Sequence, residues 1–242
     1  APPHVRLKAL DHAALDITDA RAIADAIKQN LPDLIINAAA YTAVDQAECE
    51  PEKAFAINAQ GPENLALAAS RHGAWLIHVS TDFVFDGKAG YPYAPGAEAN
   101  PINLYGLSNF VKTMLRLMNE GRPLRIIADQ VGTPCRALGL AQALWRLADL
   151  RASGILHWGD AGVASWYDFA IAIMEEARML GLLDQSPIIT PVTSADYQTA
   201  ARRPSYSVLD RSKAWALCET PPLHWRAALR LMLRELAPQD SV

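Results

Sequence analysis

The stretch DLIINAAAYTAVDQAE (residues 33–48) decides the fold class, because a nearly continuous apolar run is followed directly by small and polar residues. Such a run is typical of a strand that is buried on both faces of a parallel sheet. A second run of this kind, WLIHVSTDFVFDG (75–87), comes after the helical pattern PENLALAASRHG (62–73). The order strand, helix, strand predicts a parallel βαβ unit, in which ligands bind at the carboxyl ends of the strands.

The alternation of strands and helices extends on both sides of this unit. VRLKAL (5–10) is typical of a first strand, and ARAIADAIKQN (20–30) of an amphipathic helix. A long loop rich in Gly, Pro and Asn covers 83–106. Beyond it, the patterns predict helices at 109–121, 137–150, 165–181 and 223–236, and strands at 125–128 and 154–160. We expect the last helix, which is basic, to pack on the core and keep its basic face in solvent.

These patterns predict an α/β protein with two domains. A doubly wound parallel sheet is expected in residues 1–130, and a smaller mixed α/β domain in 131–242, with some elements returning to the first domain. One feature is unusual for a sheet of this kind. The first glycine of the chain is Gly61, so no glycine-rich phosphate-binding loop precedes it.

Composition excludes several classes of partner. The 22 basic and 26 acidic residues are dispersed, which argues against nucleic acid or an anionic membrane surface and favours small molecules. No apolar run reaches the ~18 residues of a membrane span. The three cysteines are far apart and form no CxxC pair, which indicates reduced thiols in a cytoplasmic protein. The six histidines have no HxxxH or HxH spacing, so we expect no metal site assembled from sequence neighbours.

Tyr105, in the segment PINLYGLSN, is a candidate general acid. A tyrosine serves in this way near neutral pH when a lysine lowers its pKa of ~10, usually from four positions later on the same helix. Asn109 stands at that position, and none of the seven tyrosines has a lysine there. Spacing alone therefore slightly favours a structural role for Tyr105.

Other candidates follow the predicted strands. Ser80, Thr81 and Asp82 come after the second buried run, where open α/β sheets bind ligands, although capping of the strand end would also explain them. Asp11 would suit a ribose hydroxyl. Asp16 would suit an adenine amine or, equally, would cap the helix that begins near Ala20.

Two arginines, Arg202 and Arg203, precede Pro204 in a predicted loop. Paired guanidinium groups suit a phosphate or a carboxylate, and a solvated charged loop is the competing interpretation.

In their order along the chain, these segments resemble one family, the dTDP-4-dehydrorhamnose reductases of the extended short-chain dehydrogenase/reductase superfamily. The resemblance covers nearly the whole chain, and each motif alone would be weak. The motifs are LDITD (15–19), NAAAYTAVDQAE (37–48), AFAINAQGPENLA (54–66), STDFVFDG (80–87), NPINLYG (100–106), NFVKTMLRL (109–117), DQVGTP (129–134), SWYDFA (165–170) and ARRPSYSVLD (201–210).

The resemblance implies a Rossmann-like fold and a reductase. Such an enzyme moves hydride from NADPH or NADH to the C4 carbonyl of dTDP-4-dehydro-β-L-rhamnose, which gives dTDP-L-rhamnose for bacterial surface polysaccharide. Its partner is a dTDP-sugar. The resemblance does not decide between NADH and NADPH. It also leaves open whether the protein is a homodimer and whether Mg²⁺ assists it.

The resemblance also assigns roles to residues. Tyr105 matches the proton donor, and Thr81 matches the hydroxyl that hydrogen-bonds the sugar oxygen. Substrate contacts fall on Thr81, Asp82, Val44, Arg202 and Arg203, of which the arginines are assigned to the diphosphate by their charge. Positions that line the dinucleotide are Asp11, Asp16, Ile17, Ala38, Ala39, Ala40, Tyr41, Thr42 and Tyr105.

The chain departs from the family pattern in three places. A first strand with its glycine-rich loop is lacking at the start. A longer segment, which carries the lysine after the tyrosine, is lacking where Ser108 runs into Asn109. Phe83 stands where the family usually has tyrosine.

Two explanations of the shortened pattern are open. Either the sequence omits residues of the full protein, or the protein is a truncated homologue that does not catalyse. We favour omission, because true deletion would expose strand edges and core surface that nothing else in the sequence covers.

Two other functions are compatible with the same fold. One is a non-catalytic NAD(P)-binding regulatory subunit, similar to the β-subunit of methionine adenosyltransferase. The other is a sugar-nucleotide epimerase or dehydratase, which fits less well because those enzymes carry other acid-base residues near the STD position.

Overall fold

The computed structural model describes residues 1–97, 110–197, 199–219 and 223–237. Contacts within the chain group them into two compact units. Unit 1 contains residues 1–81 and 144–152, and unit 2 contains most of the remainder. The chain therefore passes from one unit to the other after Thr81, whereas the sequence pattern suggests a division near residue 130.

Unit 1 contains the predicted βαβ unit. Strand β1 (Leu34–Asn37) pairs in parallel with strand β2 (Trp75–His78), in a register that places Leu34 opposite Trp75 and Asn37 opposite His78. The elements of this unit are α1 (Ala20–Asn30), β1 (Leu34–Asn37), α2 (Val44–Ala47), α3 (Pro51–Phe55), a π-helical turn (Ala56–Gln60), α4 (Gly61–His72) and β2 (Trp75–His78).

Local signals explain where the helices of unit 1 begin and end. The side chain of Asp19 caps α1 by accepting hydrogen bonds from the backbone amides of Arg21 and Ala22. The suggestion that Asp16 caps this helix is therefore wrong. Gly73 ends α4 in the left-handed conformation, with φ of 70°.

The predicted strand at 5–10 is not formed in the structure, and the interpretation of that segment was wrong. A strand needs a neighbouring strand for its backbone hydrogen bonds, and residues 5–10 pair with none of the described segments. Leu7 and Leu10 are 60% and 41% exposed. The same shortage of neighbours leaves most residues of β1 and β2 half-buried, not buried on both faces as predicted.

Unit 2 is mixed α/β. Parallel pairing joins β3 (Leu124–Ile127) to β6 (Ile189–Val192), and antiparallel pairing joins β4 (Val131–Gly132) to β5 (Ala164–Ser165). Val131 also forms a parallel bridge to Tyr206. The elements are α5 (Phe110–Asn119), β3 (Leu124–Ile127), β4 (Val131–Gly132), β5 (Ala164–Ser165), α7 (Trp166–Met179), β6 (Ile189–Val192), α8 (Ser212–Cys218) and α9 (Trp225–Leu236). Helix α6 (Ala137–Asp149) contributes residues to both units.

The predicted strand at 154–160 is also absent, because side chains occupy its backbone groups. The indole of Trp215 donates to the carbonyl of Gly159, and the guanidinium of Arg211 donates to that of Asp160. These bonds take the place of a ladder to another strand. The segment is therefore an ordered loop.

The core of unit 2 surrounds α7, which packs against α5, α9 and the β3–β6 pair. Ser165 and Asp168 form a capping box at its N-terminus, as the serine in the sequence predicts for the helix start. Glu176 is fully buried and hydrogen-bonds Arg226 and Arg230 of α9. The expectation that the basic face of α9 is only solvated is therefore wrong for these two arginines.

Within the described segments, no helix combines the length and the apolar character needed to cross a lipid bilayer.

Candidate active site

The loop after β1 is shaped by the last residue of the strand. Asn37 is buried, and its Oδ1 accepts a hydrogen bond of 3.0 Å from the backbone amide of Ala39. Its Nδ2 lies 3.0 Å from Nδ1 of His78 on the neighbouring strand. Burial lowers the pKa of His78, so the imidazole is neutral and accepts this bond. The loop is thereby fixed while Ala38, Ala39 and Ala40 remain exposed.

Tyr41 is held on both sides by the helical segment that follows. Its backbone amide donates to Oδ1 of Asn58 at 2.8 Å, and Nδ2 of Asn58 donates back to its carbonyl at 3.2 Å. Its hydroxyl donates to Glu50 at 2.8 Å. Burial and this carboxylate raise the pKa of Tyr41, so the hydroxyl stays protonated. Thr42 is exposed, and Val44 is buried at the start of α2.

The segment 11–19 is held by α4. Asn64 donates from Nδ2 to the carbonyls of Ile17 and Thr18. A Cβ on Gly61 would lie 2.6 Å from Cδ1 of Ile17, so only glycine allows the helix to approach this closely. Ile17 is itself buried, and its side chain packs into the core of unit 1.

The two aspartates of this segment each accept local hydrogen bonds. Oδ1 of Asp16 accepts from the amide and the hydroxyl of Thr18, and these bonds lower the pKa of Asp16. Oδ1 of Asp11 accepts from the amide of Ala14 at 2.9 Å. Asp16 is therefore an ionised acceptor at neutral pH.

Sequence reasoning missed Asn58, Asn64, Gly61 and Glu50, which position the predicted cofactor residues without being among them. A signal for the asparagines was present. Asparagine is a poor residue for a helix interior because its amide competes for nearby backbone groups, yet two occur in the helical stretch 51–72. The π-helical turn that contains Asn58 is a second signal, since such turns often mark functional sites.

Thr81 and Asp82 are half-buried, and Ser80 is exposed. Asp82 begins a short 3₁₀ turn, in which its carbonyl accepts from the amide of Phe85. Strand β2 itself ends at His78, so these polar residues follow the strand end as predicted.

The loop after Asp82 is anchored within unit 2. Phe85 and Tyr93 stack with ring centroids 4.2 Å apart, and the hydroxyl of Tyr93 donates to Asp86. The backbone amide of Tyr93 donates to the carbonyl of Val208, and its carbonyl accepts from the amide of Asp210. These contacts fix the residues immediately downstream of Asp82.

The two arginines lie in the turn that contacts this loop. Ser205 donates to the carbonyl of Gly87, and a Cβ on Gly87 would lie 2.7 Å from Cβ of Pro204. Arg202 is exposed, and Arg203 is half-buried with Nη1 donating to the carbonyl of Ala201. The turn that carries both arginines is therefore packed against this loop.

Tyr105, Ser108 and Asn109 lie outside the described residues. The predicted proton donor and the junction after Ser108 are therefore not placed by the structure. Among the described residues, no group of three or more His, Cys, Asp or Glu side chains could hold a metal ion.

Comparison with known proteins identifies relatives along nearly the whole chain. The family model described as "RmlD substrate binding domain" matches residues 1–108 and 107–237. The dTDP-4-dehydrorhamnose reductase of Aggregatibacter actinomycetemcomitans is 37% identical over 257 residues, covering 92% of this chain and 87% of the relative.

Two solved structures show the same fold. A dTDP-4-dehydrorhamnose reductase from Clostridium acetobutylicum has a TM-score of 0.89 and 33% identity, covering 97% of this chain and 92% of its own. The enzyme from Bacillus anthracis, solved in complex with NADP, has a TM-score of 0.86 and 30% identity, covering 93% and 89%. These similarities confirm the predicted α/β fold of the Rossmann type.

The alignment also bears on the shortened pattern. At 257 residues it is longer than the chain of 242, so the relative contains residues that have no counterpart here. The two parts of the family match meet at residues 107–108, where the sequence predicts a missing segment.

Proposed function

Because the chain belongs to the dTDP-4-dehydrorhamnose reductase family, we propose that this protein reduces the C4 keto group of dTDP-4-dehydro-β-L-rhamnose to dTDP-L-rhamnose with NADPH or NADH. The observation that carries the proposal is 37% identity to a reductase of that name across 92% of the chain. The similarity to reductases of known structure, one of them solved with NADP, supports it further.

The described residues fit the adenosine half of a nicotinamide dinucleotide. The ionised carboxylate of Asp16 can accept from the adenine amine, and the exposed carboxylate of Asp11 can accept from a ribose hydroxyl. The side chains of Ala38, Ala39 and Ala40 are small and exposed, so a flat ligand can approach the backbone of this loop. We assign Ile17, Tyr41 and Thr42 to the edge of the same site.

The cofactor supplies the hydride, and residues of the chain supply the proton. Hydride addition to the carbonyl carbon places negative charge on the oxygen, which we propose is neutralised by the proton of Tyr105. Thr81 holds that oxygen by a hydrogen bond. Positioned proton transfer of this kind contributes about 10²–10⁴-fold to the rate.

Binding of the dTDP-sugar is assigned to Val44, Asp82, Arg202 and Arg203. The carboxylate of Asp82 accepts from a sugar hydroxyl, and the two guanidinium groups pair with the diphosphate. The contacts of Pro204 and Ser205 with Gly87 support the assignment of the arginines, because they hold the backbone from which both side chains extend.

The cellular setting belongs to the proposal as well. The three cysteines form no disulfide with one another, which suits the reducing cytoplasm. A homodimer and a role for Mg²⁺ stay predictions. Sedimentation of the full-length protein with and without Mg²⁺ tests both.

The proposed function is tested by following NADPH absorbance on addition of dTDP-4-dehydrorhamnose to the full-length protein. We expect oxidation of NADPH together with formation of dTDP-L-rhamnose. Tight binding of NADPH with no oxidation would instead support the regulatory-subunit alternative. A sugar nucleotide converted without net NADPH consumption would favour an epimerase or dehydratase.

A further inference from the structure

Three small residues lie side by side on adjacent segments of unit 2. Val131 bonds through its backbone to Ser205 and Ser207, which places Gly132 beside Ser207. On its other side Gly132 is paired with Ala164 of β5. Because residues opposite each other on paired strands point to the same face, Gly132 and Ala164 form a floor with almost no side-chain volume beside Ser207.

A polar side chain faces this floor without a partner. Ser207 is only 5% exposed, and its Oγ lies 2.9 Å from the position that a Cβ on Gly132 would take. The hydroxyl makes no hydrogen bond to any other described residue. A hydroxyl in that condition can donate a hydrogen bond to a ligand or to water and can accept others from it.

The same point is close to the proposed sugar contact. Oδ2 of Asp82 lies 3.9 Å from the Cβ position of Gly132. The Cβ position of Gly132 therefore lies between the carboxylate of Asp82 and the hydroxyl of Ser207. The carboxylate accepts hydrogen bonds, and the hydroxyl both donates and accepts them. Two neighbouring hydroxyl groups of a sugar ring match this pair.

We propose that Ser207 is a further sugar-binding residue, which hydrogen-bonds the ring of the dTDP-sugar beside Asp82 over the bare backbone of Gly132. This inference rests on the proposed function for the identity of the sugar. Gly132 provides the clearance, since any side chain there would collide with the hydroxyl of Ser207.

The test is the affinity of the full-length protein for dTDP-L-rhamnose and for dTDP, measured by titration calorimetry. We expect Ser207→Ala to weaken binding of dTDP-L-rhamnose about 3- to 10-fold, as for loss of one hydrogen bond. Its affinity for dTDP should be unchanged, because the lost contact is to the sugar. Equal effects on both ligands, or on neither, would overturn the inference.

Substitutions at Gly132 separate binding from packing. Gly132→Ala should lower the Tm and weaken binding of dTDP-L-rhamnose, because its Cβ meets the serine hydroxyl. In Gly132→Ala/Ser207→Ala the clashing oxygen is gone, so the Tm should recover while the affinity stays low. If both the Tm and the affinity for dTDP-L-rhamnose recovered in the double variant, Ser207 would have a purely structural role. Gly90→Ala is the matched control, since no atom lies within 4 Å of its added Cβ.

These measurements distinguish the inference from the proposed function. Wild-type protein that binds dTDP-L-rhamnose but does not oxidise NADPH would contradict the reductase proposal and still allow the Ser207 comparison. Wild-type protein that binds no dTDP-L-rhamnose would overturn the inference itself.

Discussion

Unit 1 is centred on five buried apolar residues from α1, α4 and the segment before α1, whereas fourteen buried residues of unit 2 form a core around α7. Both counts refer to the described part of the chain. The parallel pair in unit 1 is half-buried, and its loops are held by single asparagine side chains. Unit 2 instead buries a carboxylate between two arginines.

This contrast suggests a division of roles. Loops that bind and release ligands are usually found in the less stable parts of a protein, because they must be able to open. The predicted dinucleotide contacts lie in unit 1.

Acid should destabilise unit 2 through Glu176. Hydrogen bonds from Arg230 and Arg226 hold the pKa of Glu176 at about 2, below its ordinary 4.5. Because the folded pKa is lower than the unfolded one, the stabilisation is complete above pH 4.5 and is lost as the pH falls toward 2. We expect the unfolding free energy to drop by about 3 kcal/mol over this range, measured by urea unfolding. Glu176→Gln should remove this part of the pH dependence, and an unchanged slope would contradict the prediction.

Glu176→Ala at neutral pH should destabilise the protein by about 2–3 kcal/mol, because it removes a buried acceptor from two partly exposed guanidinium groups. Thermal unfolding measures the change. Glu175→Ala is the control, since this exposed carboxylate pairs with Arg226 at the surface and should contribute less than about 1 kcal/mol. Equal losses of stability in Glu176→Ala and Glu175→Ala would show that burial of Glu176 does not strengthen its ion pairs with the arginines.

Substitutions in the two units should affect different ligands. Arg203→Ala should raise KM for the dTDP-sugar about 10- to 100-fold, as for loss of a charged hydrogen bond, and leave KM for NADPH nearly unchanged. Asp16→Asn in unit 1 should raise KM for NADPH by a smaller factor and leave KM for the dTDP-sugar nearly unchanged. Steady-state kinetics of both variants decide this, and equal effects of Arg203→Ala on the two KM values would refute its assignment to the diphosphate.

Asn64→Ala should lower the unfolding free energy by about 1 kcal/mol or less, because two long hydrogen bonds are lost while alanine favours the helix. KM for NADPH should rise with it, since the segment that contains Asp16 loses its anchor. Glu63→Ala, an exposed neighbour on the same helix, is the control. An unchanged KM for NADPH in Asn64→Ala would mean that the segment containing Asp16 keeps its conformation without the asparagine.

Much of the fold follows from short-range signals. Ser165 with Asp168, the αL glycine Gly73 and the apolar spacing of Ile23 and Ile27 lie within a few residues of the helices that they define. The parallel pairing of β1 and β2 follows from two apolar runs with a helix between them. The strand at 5–10 was mispredicted because strand composition does not create the neighbour that a strand requires.

The candidate site was less accessible from the sequence. The residues that follow the strands were identified from their position, and the role of Tyr105 came from resemblance alone because the usual lysine is absent. Nothing in the sequence indicates that Asn58 holds Tyr41 on both sides, or that Asn64 reaches Ile17 across 47 residues.

The α/β class, the family and the helices of ten or more residues follow from the sequence alone, whereas the short helices α2, α3 and α8 were not predicted. The backbone hydrogen bonds of a helix join residues four positions apart, and a motif consists of neighbouring residues. Both can therefore be predicted from a short stretch of sequence. The folded chain, and not its local sequence, brings Glu176 to two arginines of α9 and places Ser207 beside Gly132 and Asp82. Those contacts join residues far apart in the chain, because buried charges and hydroxyl groups are satisfied by whatever the folded backbone brings near them.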